Sequence, residues 1–109
     1  MPFFVYILKC ADGSYYIGST SNLEVRLAEH QSGFFPDSYT ASRRPVQLVW
    51  SQECANHDEA FRFERQIKGW NRKKKEALIR NDFQRIHEIV TEERLRREAE
   101  KPSKPPEVE

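Results

Sequence analysis

Residues 3–20 read FFVYILKCADGSYYIGST, and the order of apolar and turn residues in this stretch decides the fold. Phe3 to Cys10 is apolar on both alternating faces, which predicts a strand covered on both sides. Ala11-Asp12-Gly13 is a turn signal, and Ser14 to Thr20 reads as the returning strand of a hairpin. The turn has two readings. A two-residue Asp12-Gly13 loop pairs Cys10 with Tyr15 and puts Tyr6 and Tyr16 on opposite faces of the sheet. A three-residue loop, with Gly13 in the left-handed conformation as a bulge, pairs Cys10 with Ser14 instead. Tyr6 then faces Gly18, Tyr16 faces Leu8, and the two hydroxyls share one face. The residues of the turn leave both readings open.

Working outward, Ser21-Asn22-Leu23-Glu24 has capping-box spacing and predicts a helix to about His30. Gly33 to Pro45, rich in Gly, Pro, Ser and Thr, reads as a loop. Val46 to Gln52 alternates as a third strand. Asn56-His57-Asp58-Glu59 offers a second cap, opening a helix whose Ala60, Phe63, Ile67 and Trp70 form one apolar row. Gly69 weakens the end of that helix, and Asn71 is placed to cap a short one over about Arg72–Arg80. Residues 82–90 predict a last helical turn or two. From Thr91 the chain is charged, has almost no large apolar residues and passes through several prolines, so it reads as a tail, a frayed helix running into disorder. The expected organisation is one domain over residues 1–90 and a tail over 91–109. The order of elements predicts an α+β domain with a small, about three-stranded antiparallel β-sheet flanked by helices.

The formal net charge of +1 does not mark a nucleic-acid binder, but its distribution does. Between Arg62 and Arg80 stand eight Lys/Arg against two Glu, a local net of +6 that points to an anion. Cys10 and Cys54 have no C-x-x-C spacing and no cluster of other ligands, so buried free thiols in a reducing compartment are expected, not a zinc site. The apolar run Phe3–Leu8 is too short for a signal peptide or a membrane span, and a cytoplasmic protein without membrane partners is expected.

Five side chains could carry chemistry. Tyr6 and Tyr16 lie on adjacent strands, where tyrosine is commonly packing alone. Arg26 and His30 stack four apart on the first helix, beside the Leu23/Leu27 row that should meet the sheet. They are either a snorkelling arginine and a satisfied helix-end histidine, or a guanidinium fork aimed at a phosphate with an imidazole for proton transfer. Glu64, four residues before Lys68, is either half of a surface ion pair or a hard oxygen ligand suited to Mg²⁺.

Taken in order, Tyr6 after Phe4-Val5, Tyr16-Ile17-Gly18 ten residues later, Arg26-x-x-x-His30 and the helical Glu64 resemble the GIY-YIG nuclease family, and most of all its small stand-alone members. The resemblance spans roughly residues 3–80. Phe4-Val5 replaces the Gly-Ile of the first motif, and of Asn71 and Asn81 the latter is the better candidate for the family's late asparagine. The resemblance implies an endonuclease that hydrolyses phosphodiester bonds of nucleic acid, DNA being the expected substrate, with one divalent ion, Mg²⁺ or Mn²⁺. It implies that Glu64 holds the ion, Arg26 pairs with non-bridging oxygens and Tyr6 is the general base. Tyr16 and His30 orient water or relay a proton. A shared site requires the three-residue turn, with Gly13 and Gly18 as its structural glycines. Arg43, Arg44, Lys68, Arg72, Lys73, Lys74 and Lys75 are the expected contacts to neighbouring phosphates. The alternatives are a non-catalytic nucleic-acid-binding module on the same fold and a partner-binding domain using the charged tail.

Overall fold

The computed structural model describes residues 2–100. Strand β1 (Phe3–Lys9) is the central strand of a three-stranded antiparallel sheet of order β2-β1-β3, with β2 at Tyr15–Thr20 and β3 at Gln47–Cys54. Its central position explains why Val5, Tyr6, Ile7 and Leu8 are all buried, where a strand with one wet face would alternate. Ile7 pairs with Trp50 and Leu8 with Leu48, so Val49 is the extra residue of a β-bulge in β3.

The hairpin takes the three-residue turn. The Cys10 amide donates to the Ser14 carbonyl at 2.8 Å, the Gly13 amide donates to the Cys10 carbonyl at 2.9 Å, and Gly13 has φ +85°. Only glycine adopts that φ without strain. Tyr6 therefore pairs with Gly18 and Leu8 with Tyr16. The Asp12 carboxylate braces the turn by accepting from the Ser14 amide and hydroxyl, at 3.0 and 2.6 Å. These hydrogen bonds, with Arg43 beside them, hold its carboxyl below the usual carboxylate range.

Helix α1 (Leu23–Ser32) is capped by Asn22, whose side chain accepts from the Val25 amide, one residue later than the Ser21 cap that the capping-box spacing predicts. It ends at Gly33, in the left-handed conformation at φ +72°. Leu23 and Leu27 pack on a core cluster of Tyr6, Leu8, Cys10 and Val46, on the sheet face that carries Tyr6 and Tyr16. Val5, Ile7 and Ile17 alternate to the opposite face. Helix α2 (His57–Lys68), capped by Asn56, packs against β1 and β2 with Ala60 and Ile67 fully buried, and its Phe63 meets Trp50 at 5.7 Å. Both cysteines are free and buried, and burial pushes both thiols up, away from the reactive thiolate.

The chain divides into two compact units between Trp70 and Asn71. In the second, α3 (Arg72–Ile79) is capped by Asn71, and Asn81, at φ +56°, forms the left-handed end of that helix. Helix α4 (Phe83–Glu100) is much longer than the turn or two expected after residue 82, and it crosses Thr91 without a break. The composition of 91–100 hides the reason, which is tertiary. Glu93 accepts from Asn71 Nδ2 at 2.8 Å and pairs with Lys74 Nζ at 3.0 Å, tying α4 to α3. Residues 101–109, the rest of the expected tail, lie outside the described residues.

Candidate active site

Register and helix periodicity bring four of the five chemistry-bearing side chains together on one sheet face. Tyr6 is fully buried, and its hydroxyl lies 3.0 Å from His30 Nε2. The Tyr16 ring lies 6.3 Å from that of Tyr6 and 5.0 Å from the imidazole. His30 is not merely a helix-end residue. It is buried at 3% exposure, and its second nitrogen, Nδ1, lies 2.8 Å from Thr40 Oγ1. Thr40 is itself buried and lies 3.1 Å from the Ser38 hydroxyl. A hydrogen-bonded line thus runs Tyr6–His30–Thr40–Ser38, and the Thr40 contact fixes the imidazole's orientation. Thr40 was not foreseen, because a Thr in a Ser/Thr-rich loop carries no signal apart from its turn propensity. Its only trace in the sequence is its proximity to the strand that closes the loop.

Gly18 is the gap that admits the Tyr6 ring. A Cβ there would stand 2.4 Å from the Tyr6 hydroxyl oxygen and 2.6 Å from Cζ. The ring is held by its burial and by His30, so it cannot swing aside freely. Gly18→Ala is therefore expected to destabilise the fold by about 1–3 kcal/mol, the usual range for overpacking. It should also displace the Tyr6–His30 hydrogen bond. Denaturant unfolding of the variant checks this, and wild-type stability would show that the ring yields without cost.

Arg26 stands at the margin of the same face. Its guanidinium lies 5.7 Å from the Phe35 ring centre, and its Nε is 3.3 Å from Glu29 Oε1. That ion pair is not aligned as a hydrogen bond, so the buried Nε–H has no acceptor even though the side chain as a whole is more than a third exposed. Arg26 also acts on Tyr6. Burial raises the Tyr6 phenol well above the ordinary tyrosine range and Tyr16 adds to this, while the charge and hydrogen bonding of Arg26 oppose it. Glu64, on α2, is near enough for its charge to disfavour the phenolate further. Its side chain is only 12% exposed, and Lys68 Nζ lies 3.3 Å from Oε2. Burial, with help from Arg26, lowers the His30 imidazole below its ordinary value, so it is neutral at pH 7.

The expected phosphate contacts are arranged differently. Arg43 pairs with Asp12 at 3.1 Å, donates to the Tyr39 carbonyl and covers the Tyr39 ring at 3.7 Å. Arg44 lies over Gly33 and donates to the carbonyls of Ala41 and Gln31. Both arginines thus fasten the loop between α1 and β3, as does Gln31, whose amide bonds the backbone of Val46 through both of its ends. Lys68 is paired with Glu64, Arg72 with Glu76 at 3.5 Å, and Lys74 with Glu93. Of the lysine run, Lys73 is exposed and Lys75 half-buried. Asn71 and Asn81 serve as helix caps of the second unit.

A buried and a half-buried tyrosine, an imidazole and a guanidinium on a β-hairpin and its following helix define a class, and the chain belongs to it: residues 2–77 match the GIY-YIG catalytic domain family. Within it the chain is similar to small UPF0213 proteins. One from Bacillus pumilus is 42% identical over 94 residues, covering 86% of this chain and 93% of the relative. One from Syntrophus aciditrophicus is 42% identical over 83 residues, covering 76% and 95%. Among solved structures, the solution NMR structure of a protein from E. faecalis is 37% identical, with a TM-score of 0.54, covering 74% of this chain and 85% of that one.

Proposed function

We propose that this protein is a divalent-metal-dependent endonuclease that hydrolyses phosphodiester bonds of nucleic acid, with DNA as its substrate. The observation that carries the reading is the buried Arg26 Nε–H without an acceptor beside Tyr6. An unsatisfied donor on a cation is costly, and the guanidinium, on a side chain more than a third exposed, is open to a phosphate oxygen that brings the opposing charge. Arg26 then offsets the charge that builds on the non-bridging oxygens as water attacks.

Tyr6 acts as a neutral phenol, because burial disfavours its anion. It accepts a proton from the attacking water as its own passes to His30 Nε2, 3.0 Å away. His30 receives that proton because it is neutral, and Thr40 holds the ring in line. Tyr16 orients the water from the same sheet face. Glu64 offers a hard oxygen donor, and among the described residues no group of three or more His, Cys, Asp or Glu forms a metal cage. A single carboxylate fits Mg²⁺ or Mn²⁺, which fill their shells with water and phosphate oxygens. Such an ion, when bound, supplies charge that polarises the scissile phosphate and stabilises the leaving oxyanion. Nicking of supercoiled plasmid with Mg²⁺ or Mn²⁺, abolished by chelator, is the expected result. Binding without cleavage under both metals would favour the non-catalytic module.

The imidazole gives the reading a pH signature. The His30 value is depressed in the folded state, so its contribution to stability is present above the unfolded value of about 6.5 and is lost as pH falls through the folded one. Cleavage should fall over the same interval as the acceptor fills. Thr40→Val, which strips Nδ1 of its buried partner, should cost about 1–3 kcal/mol and lower cleavage with it. An NMR titration of the His30 ring with a midpoint at or above 6.5 would contradict this account.

A further inference from the structure

The loop from Gly33 to Pro45 carries open aromatic rings that the hydrolytic scheme does not use. Phe34 is 63% exposed and Phe35 36%, although nothing in the loop's backbone requires an aromatic residue at either position. The two rings meet edge-on at 5.0 Å. Phe35 continues inward, 6.2 Å from the His30 ring and beneath the Arg26 guanidinium. Tyr39, 43% exposed, stacks on Tyr16 at 6.4 Å and carries Arg43 over its ring, so it anchors the loop, while Phe34 is the most open of the three rings and Phe35 joins it to the site. The loop is fastened at its base by Thr40 on His30 and by Arg43 on Asp12, which holds the rings beside the candidate active site.

We propose that Phe34 and Phe35 form a stacking surface for unpaired bases, and that the substrate class is nucleic acid with unpaired nucleotides next to the scissile phosphate. The inference rests on the phosphodiester reading, because the rings adjoin Arg26 and His30. In a continuous duplex every base face is covered by its neighbours, so an exposed phenyl ring has nothing to stack on and phosphate contacts suffice. A single strand, flap or bulge offers free base faces, and aromatic side chains bind these without regard to sequence. An apolar protein partner would bring Arg26 no charge beyond the misaligned Glu29 carboxylate, whereas each stacked nucleotide brings its own phosphate.

The test compares binding of a short labelled oligothymidylate and a fully paired duplex of equal length to the full chain, without divalent ion, by fluorescence anisotropy. The single strand should bind more tightly. Phe34→Ala should weaken that binding roughly five- to a hundredfold, the span for loss of one stacked base, and leave the duplex nearly unaffected. Its salt dependence should not change, because no charge is removed. Phe34→Trp should keep the affinity and Phe34→Leu should not. Equal affinity for both ligands with no effect of Phe34→Ala overturns the proposal. Full retention by Phe34→Leu also overturns it, as a generic apolar contact. So does an altered sedimentation coefficient with unchanged binding, which would make the patch a self-association surface. Cleavage of the same ligands with Mg²⁺ separates the two readings. Phe34-dependent single-strand binding without any cleavage sinks the nuclease and keeps the stacking surface, while duplex cleavage indifferent to Phe34 does the reverse.

Discussion

Arg26→Ala is expected to give a folded protein that still binds nucleic acid but cleaves it slower by on the order of a hundredfold or more, the usual loss for a transition-state charge partner. The structural cost should be small. The Arg26–Glu29 pair is misaligned and joins two partly exposed side chains, and such pairs contribute about 0–1 kcal/mol. Removing the guanidinium also removes the group that opposes the rise of the Tyr6 phenol, so the loss falls on proton transfer as well as on the phosphate. Arg26→Lys should rescue poorly, because a point charge does not reproduce a fork that meets two oxygens. Single-turnover cleavage of one substrate by the three proteins measures this. Wild-type rates in Arg26→Ala would remove the arginine from the reaction and leave the binding module standing.

Glu64→Gln should lower cleavage by a similar factor and weaken divalent-ion binding measured by calorimetry. The sign separates two roles. The charge of Glu64 disfavours the Tyr6 phenolate, so if the residue acted only through Tyr6 its neutralisation would ease proton transfer and raise the rate. A fall in rate therefore assigns Glu64 to the ion. The lost ion pair with Lys68 accounts for only a few tenths of a kcal/mol. A rate at or above wild type would take the ion away from Glu64.

The sheet and the first three α-helices were legible because their signals are local: the doubly apolar run of β1, the turn residues before β2, alternation in β3, asparagine caps at Asn56 and Asn71, and the Ala60–Ile67 row. Two features were not. The second half of α4, residues 91–100, lacks an apolar stripe, and it is held by Glu93 reaching Asn71 and Lys74, a contact that no window of residues 91–100 contains. At the candidate site, order and spacing single out Tyr6, Tyr16, Arg26, His30 and Glu64 as candidates, but they do not give the contacts of their neighbours. Arg43 and Arg44 read in sequence as contacts to neighbouring phosphates, and folding also turns them toward Asp12 and the end of α1. Thr40 reads as loop filler, and folding buries it against an imidazole ten residues away.

The three residues between Cys10 and Ser14 act as a parity rule. Side chains on a strand alternate with a period of two, so gaining or losing one residue in this turn slides β2 by a single step against β1 and sends Tyr16 through the sheet. Such a change would erase no chemical group and leave every side chain of the candidate site in the chain. The hydroxyl pair would nevertheless come apart, and Tyr6 would face the side chain of Ser19 after a loss, or of Ile17 after a gain, where Gly18 now leaves room. What keeps this site whole is thus partly a count, and a count is invisible to any inventory of which residues are present.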